Sequence, residues 1–262
     1  MYSASSLGCE KNGPIRQTMN IIQATEELSR SVRHFGVELV ETLKQTREVF
    51  RLRHQVYCVE RGHQDLPGDV GEEFDAFDAH SRHVLLRHGS EPVGTARLIC
   101  VNPVNPGASF QIQEFCAPAL LAHLPLHTSG EISRFALSKA RRMDNANVAL
   151  MRLALVRGLV QLSSELGITH WLALQERCLL RLNERNAIRF DPIGPPVACH
   201  GIRHPTAVNL ESMLDGVRRE QFETWAFLTA GGSWFGSRTQ AAEPTADLDS
   251  ALRQNVLMDT LG

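Results

Sequence analysis

Four polar clusters in this chain combine residue types that can hold a charge, bind a carboxylate or move a proton. Arg53 and Tyr57 stand four apart, so on a helix they share one face. The run Glu72-Glu73-Phe74-Asp75-Ala76-Phe77-Asp78 interleaves acids with two aromatics. A solvated acidic loop has no use for Phe74 and Phe77, so this segment is expected to fold back on the domain and carry Asp75 and Asp78 with it. Arg97 lies inside Val93-Gly94-Thr95-Ala96-Arg97-Leu98-Ile99. On a strand it shares a face with Thr95 and Ile99, and a mid-strand charge is rarely buried alone, so it asks for a carboxylate. Glu131, Ser133, Arg134 and Phe135 open the next strand-like stretch. A regular strand points Glu131 and Arg134 to opposite faces, and one network holds both only if the strand bulges or both side chains reach around. All four clusters can serve as an ion-pair network that fixes the fold, and such a network can also be a catalytic site.

The elements that position these residues follow from periodicity. Residues 36–42 read as a short strand and 44–60 as a helix with Val49, Leu52, Val56 and Val59 on its apolar stripe. Residues 83–87 and 92–101 form a hairpin around 88–91, 113–124 a short helix, and 131–138 a strand. Residues 147–166 are apolar nearly all round, the mark of a helix buried between layers, and Gly167 stops it. A strand over 168–174, a helix over 177–187, two strands over 197–210 broken by Gly201 and Pro205, and helices over 211–229 complete an α/β layered domain with a mixed sheet. The expected domain spans 36–230. An N-terminal extension (1–35) includes a polar helix over 18–34, and a flexible C-terminal tail (231–262) has a weak helical pattern in Leu248, Leu252 and Val256.

Composition excludes several classes. A net charge of −2 gives no global field for nucleic acid or an anionic membrane. Six scattered cysteines with no CxxC pair disfavour a disulfide framework or zinc ribbon, and no apolar run approaches the ~20 residues of a membrane span. A cytoplasmic protein without a permanently bound cofactor or metal is expected. Cys199-His200-Gly201-Ile202-Arg203-His204 invites a metal or thiol-nucleophile reading, but there is no second cysteine pair, and strand neighbours point to opposite faces.

Taken in order, the clusters resemble the autoinducer synthases, which make acyl-homoserine lactones. The pattern of Arg-x3-aromatic, Glu-x-Asp-x-x-Asp, a strand Arg and Glu-x-x-Arg-Phe is met by Arg53 and Tyr57; Glu73, Asp75 and Asp78; Arg97; and Glu131, Arg134 and Phe135. A closer resemblance covers nearly the whole domain. RHQVYCVERG, FDAHSRHVLLRH, VGTARL, EISRFALSK, ELGITHWLAL, CHGIRHP and VRREQFETW are similar to the PEP-CTERM/exosortase-system-associated acyltransferases, with N-acyl amino acid synthases as near relatives. The resemblance implies a GNAT fold of α/β (α+β) class: a central mixed sheet with helices on both faces, whose two central parallel strands splay to admit an acyl thioester. In one respect the chain departs from the autoinducer synthases, which carry a tryptophan soon after the first helix. Here the tryptophans are Trp171, Trp225 and Trp234, and the corresponding stretch reads Gly62-His63-Gln64, which speaks against a homoserine lactone product.

The implied function is N-acyl transfer of a medium- or long-chain fatty acyl group from acyl carrier protein to the amine of an amino acid or similar small acceptor. An acyl-homoserine lactone synthase-like enzyme, a non-catalytic GNAT-like lipid or carrier-binding module of an exosortase/exopolysaccharide system, and an acetyl-coenzyme A enzyme are the alternatives. Glu131 is the expected base, with Arg97 and Arg134 holding it ionised, or binding an acceptor carboxylate, while Asp75 and Asp78 balance the charge. Arg53, Tyr57, Phe74, Ser133 and Phe135 are expected at the substrate, and backbone N–H groups of 135–137 at the oxyanion. Lys139, Arg141 and Arg142 are expected to hold the phosphopantetheine phosphate or dock the acidic carrier, in a loop without the glycines usual in GNAT enzymes.

Overall fold

The computed structural model describes residues 35–63, 66–141 and 148–235. The N-terminal extension, the helical patterns over 18–34 and 248–256, Arg142 and most of the C-terminal tail lie outside the described residues. Strand β1 (Phe35–Leu39) leads into α1 (Leu43–His54), whose N-terminus is closed by a reciprocal capping box between Thr42 and Gln45. The helix expected to run regularly to residue 60 instead widens into a π-helical turn, Gln55–Glu60. The change of pitch keeps Val49, Leu52 and Val56 buried but turns Val59 out, 61% exposed.

A small hairpin, β2 (Gly68–Asp69) and β3 (Glu72–Glu73), and a 3₁₀ turn (Ala76–His80) precede the main hairpin, β4 (Ser81–His88) and β5 (Glu91–Ile99). The expected 113–124 helix is split into α2 (Ile112–Phe115) and α3 (Pro118–Leu121), because Pro118 forces Ala117 into an extended conformation. Then come β6 (Ser129–Leu137), α4 (Val148–Leu166), β7 (His170–Gln175), α5 (Arg177–Glu184), β8 (Asp191–Pro192), β9 (Val197–Ala198), β10 (Ile202–Asn209), α6 (Leu210–Glu220) and α7 (Phe222–Leu228). Pro205 does not break β10. It pairs in register with Leu174, and its carbonyl accepts from the Ile193 N–H, so its missing donor faces the side where short β8 gives way.

The main sheet has the order β1-β4-β5-β6-β7-β10-β8, with β9 on β10, and is antiparallel except between β6 and β7. Alternation along β4 divides the core: Val84 and Leu86 pack with α4 on one face, and Leu85 packs with α1 on the other. Gly158 lets α4 lie against the sheet, since a Cβ there would stand 2.5 Å from Val84 and 2.9 Å from Val37. The segment expected as a loose tail begins packed: Arg157 of α4 lies between the rings of Phe227 and Trp234, and the Ser164 hydroxyl donates to the Trp234 carbonyl.

Candidate active site

The acidic segment folds back as its aromatics require. Asp75 caps the 3₁₀ turn by accepting from the Phe77 N–H at 2.9 Å, and Asp78 returns the bond by accepting from the Asp75 N–H at 2.8 Å. This reciprocal cap aims both carboxylates at the arginines of α1 and β5. Arg53 donates to Glu73, and through its two terminal nitrogens to both oxygens of Asp78 at 2.7 and 3.1 Å. Arg97 donates to Asp75 at 2.5 Å and to Ser133 at 2.8 Å, and lies 3.1 Å from Asp78. Arg134 joins Glu73 at 3.0 Å to Asp75 at 2.9 Å. Three arginines thus meet three carboxylates, nearly all out of contact with water, a balance that buried charge demands. Burial works to raise the Asp78 pKa, but Arg53 and Arg97 outweigh it and hold this carboxyl well below the usual range.

The strand bulge that one common site requires is present. Pairing of β5 with β6 shifts by one residue between Arg97↔Ser133 and Thr95↔Ala136, and Arg134 takes φ +48 at the extra position. A non-glycine residue there costs of order 1–3 kcal/mol, offset by the two charge-assisted bonds that Arg134 gains. Glu73 ties Arg53 to Arg134, a role that sequence reasoning did not assign.

Glu131 is not part of this network, contrary to expectation. Its Oε2 accepts from the Ile112 N–H at 3.1 Å, and its Oε1 has no partner although the residue is 1% exposed. Arg97 and Arg134 do not hold it firmly ionised. Burial pushes its pKa up to about 7, and the Ile112 bond, the Arg97 charge and the nearby Gln111 N–H only partly oppose this.

Glu131 faces a cavity of about 300 Å³. It opens where β6 and β7 part: parallel pairing runs from Ser129↔His170 to Ile132↔Ala173 and goes no further. Tyr57, Ser133, Arg134, Phe135 and Lys139 line it, with Cys199 and His200 of the β9–β10 turn and Arg203 of β10. Apolar lining comes from Trp171, Leu179, Leu182, Ile188 and Phe190, with Gln175 and Asn183, hydrogen-bonded at 3.0 Å, among them. Trp171 is fixed by its indole N–H, which donates to Ser163 at 2.8 Å, and stacks on Phe190 with ring centres 6.4 Å apart.

Arg53, Phe74, Asp75, Asp78 and Arg97 do not line the cavity; the four charged residues form the buried network, and Phe74 packs on Phe50 at the surface, 37% exposed. Arg134 lies over the Tyr57 ring, which is how the first cluster reaches the cavity. In the basic loop, Arg141 pairs with Glu91 at 3.2 Å, while Glu60 accepts from the Lys139 and Ala140 N–H groups. Sequence reasoning passed over Trp171 and Gln175, though their two-residue spacing with Ala173 puts all three on one side of β7.

Residues 52–152 match the family model described as an acetyltransferase (GNAT) domain. The sheet order, the bulged β6 and the parted parallel strands agree with that match. The chain has the fold of the GNAT acyltransferases. Solved structures with this GNAT fold include the AHL synthase LasI, at 21% identity over 66% of this chain and 88% of that one, TM-score 0.52. The CoA-dependent acyl-homoserine lactone synthase BjaI matches at 19% over 75% and 99%, TM-score 0.53. FeeM, an N-acyl amino acid synthase from uncultured soil microbes, matches at 13% over 72% and 96%, TM-score 0.56. No curated protein sequence matches the chain.

Proposed function

We propose that this chain moves a fatty acyl group from the thioester of an acyl carrier protein to the amine of an amino acid or a similar small acceptor. The observation that carries the reading is Glu131: a buried carboxyl with an unpartnered oxygen and a pKa pushed up to about 7, on a cavity lined by both polar and apolar side chains. An α-amine of reference pKa about 7.7–8.0 is mostly protonated at pH 7, so a base poised near that pH helps, typically by ~10²–10⁴-fold.

Glu131 Oε1 takes the amine proton, directly or through one water. The nitrogen then attacks the thioester carbonyl carbon, the C–S bond breaks, and the leaving thiolate takes up a proton as the amide forms. Of the backbone donors expected at 135–137, the Leu137 N–H, on the edge of β6 that β7 has left, and the Phe135 N–H beside the bulge support the oxyanion; Ser138 donates to Val93, so Ala136 also faces β5. Of the two arginines considered for an acceptor carboxylate, Arg134 fits: it lines the cavity, and its Nη1 makes no hydrogen bond among the described residues, whereas Arg97, whose Nη2 also lacks a partner, is fully buried and does not line it. The apolar walls from Trp171 to Phe190 take the acyl chain. Untargeted mass spectrometry of lipids from cells expressing the parent or Glu131→Gln tests the reading. An N-acylated amine present only with the parent is expected, and identical lipid profiles would overturn it.

A further inference from the structure

The cavity draws its lining from two directions. Helices α4 and α5 contribute Arg152, Leu159 and Leu179, and the π-helical turn and its C-cap contribute Tyr57 and Arg61. The β9–β10 turn meets the chain just past that turn: the rings of His63 and His200 stand 5.9 Å apart, and Glu176 lies 3.0 Å from Arg203 and 3.6 Å from Arg61. Glu131 belongs to this region of the cavity. It shares a strand face with Ser133, which bonds to Arg97 at 2.8 Å, and Arg97 stands opposite His83, on the face where Leu85 packs with α1.

Charge in this region is not balanced. Arg53, Arg97 and Arg134 are met by Glu73, Asp75 and Asp78, three for three. Beyond that network Arg61 and Arg203, both lining the cavity, share the single carboxylate of Glu176. The Arg61 guanidinium makes no hydrogen bond among the described residues, and its one ion pair is the 3.6 Å approach to Glu176. It lies over the Tyr57 ring at 5.2 Å, and Arg134 lies over the same ring at 5.8 Å. Two guanidinium groups on one ring repel each other, and an anion that reaches both removes the repulsion. Arg203 and Arg134 also act together on Cys199: burial pushes its thiol pKa up, and both charges oppose the rise. Arg61, Arg134 and Arg203 therefore surround one stretch of the cavity, next to the carboxyl that takes the amine proton.

We propose that the acceptor is an amino acid with a second acidic group, of the aspartate or glutamate class. Its α-carboxylate lies on Arg134, its side-chain carboxylate on Arg61 and Arg203, and its amine at Glu131. The proposal rests on the acyl-transfer reading and names the acceptor class for it. A neutral side chain would leave the charge of Arg61 and Arg203 in excess, and a basic one would add to it. A phosphate of the acyl donor is an oxyanion of similar appeal to these arginines, and the test separates the two.

L-glutamate, L-aspartate, their amides L-glutamine and L-asparagine, and L-lysine are titrated into the parent and into Arg61→Gln/Arg203→Gln, with ligand-observed NMR reading affinities into the millimolar range. The parent should bind each acid at least about tenfold more tightly than its amide, and lysine most weakly. The double variant should bind each acid only as well as its amide, while the amides bind as they do to the parent, which also shows that the site has kept its shape. Arg61→Gln alone, at a side chain 40% exposed, provides the same comparison should the double variant unfold. Phosphopantetheine, the probe for a donor phosphate, should bind parent and variants alike. Equal affinity of the parent for acid and amide, no binding of either acid, or a variant that loses phosphopantetheine instead of glutamate would overturn the proposal. Failure of the acyl-transfer reading looks different: glutamate would bind through Arg61 and Arg203, yet no acyl donor would yield an N-acylglutamate.

Discussion

Replacing Glu131 with Gln should make the protein more stable and less active at once, with a pH signature that belongs to this residue. The carboxyl is buried with one unpartnered oxygen, and burial raises its pKa from an ordinary carboxylate value to about 7. Between roughly pH 4.5 and pH 7 the folded protein keeps a proton that the unfolded chain has released. Stability contributed by this group is therefore complete at low pH and falls by about 1.4 kcal/mol per pH unit through that window. Over the shift of some 2.5 units the loss is on the order of 3 kcal/mol. Glutamine keeps an acceptor for the Ile112 N–H and never has to ionise, so Glu131→Gln should exceed the parent by about that amount at pH 8 and match it near pH 4.5. Urea midpoints at the two pH values, converted with the measured slopes, give the difference directly. In parallel, transfer to an amine acceptor should fall by roughly 10²–10⁴-fold near neutral pH. A stability difference that does not change with pH, or turnover within threefold of the parent, would show that Glu131 is not a buried base.

Arg97→Met should cost about 3–5 kcal/mol at pH 7, because Asp75 and Asp78 would remain buried with two arginines among three acids. Urea denaturation should show that gap narrowing on acidification, as the orphaned carboxylates take up protons; a cost below 1 kcal/mol would remove Arg97 from the network. Phe190→Ala should open the apolar lining of the cavity beyond Trp171 and move the preferred acyl chain to greater length. Competition among acyl donors of graded length reads this out, and an unchanged preference would place the chain elsewhere.

The sequence alone determined the main elements and that one buried charge must find carboxylates. Short-range periodicity suffices for an all-round apolar helix at 148–166 or a hairpin around Gly89 and Ser90, since each is fixed by residues a few positions apart. For Arg97 it sufficed in part: a charge inside an apolar strand must meet carboxylates, and Asp75 and Asp78 supply them, whereas Glu131, expected beside Arg97, does not. The condition that β6 bulge if Glu131 and Arg134 are to share a site was likewise legible from the two-residue repeat. What the tertiary structure decided was which groups were left over. Glu131 and the arginines looked like one network, but Glu73 filled the third acidic place and left Glu131 in a different environment, with a raised pKa. No sequence pattern records that outcome, because desolvation depends on how closely α2 and the cavity wall approach from distant parts of the chain. That Arg141 finds Glu91 and Arg189 finds Glu220 likewise depends on where the sheet and helices bring the acids.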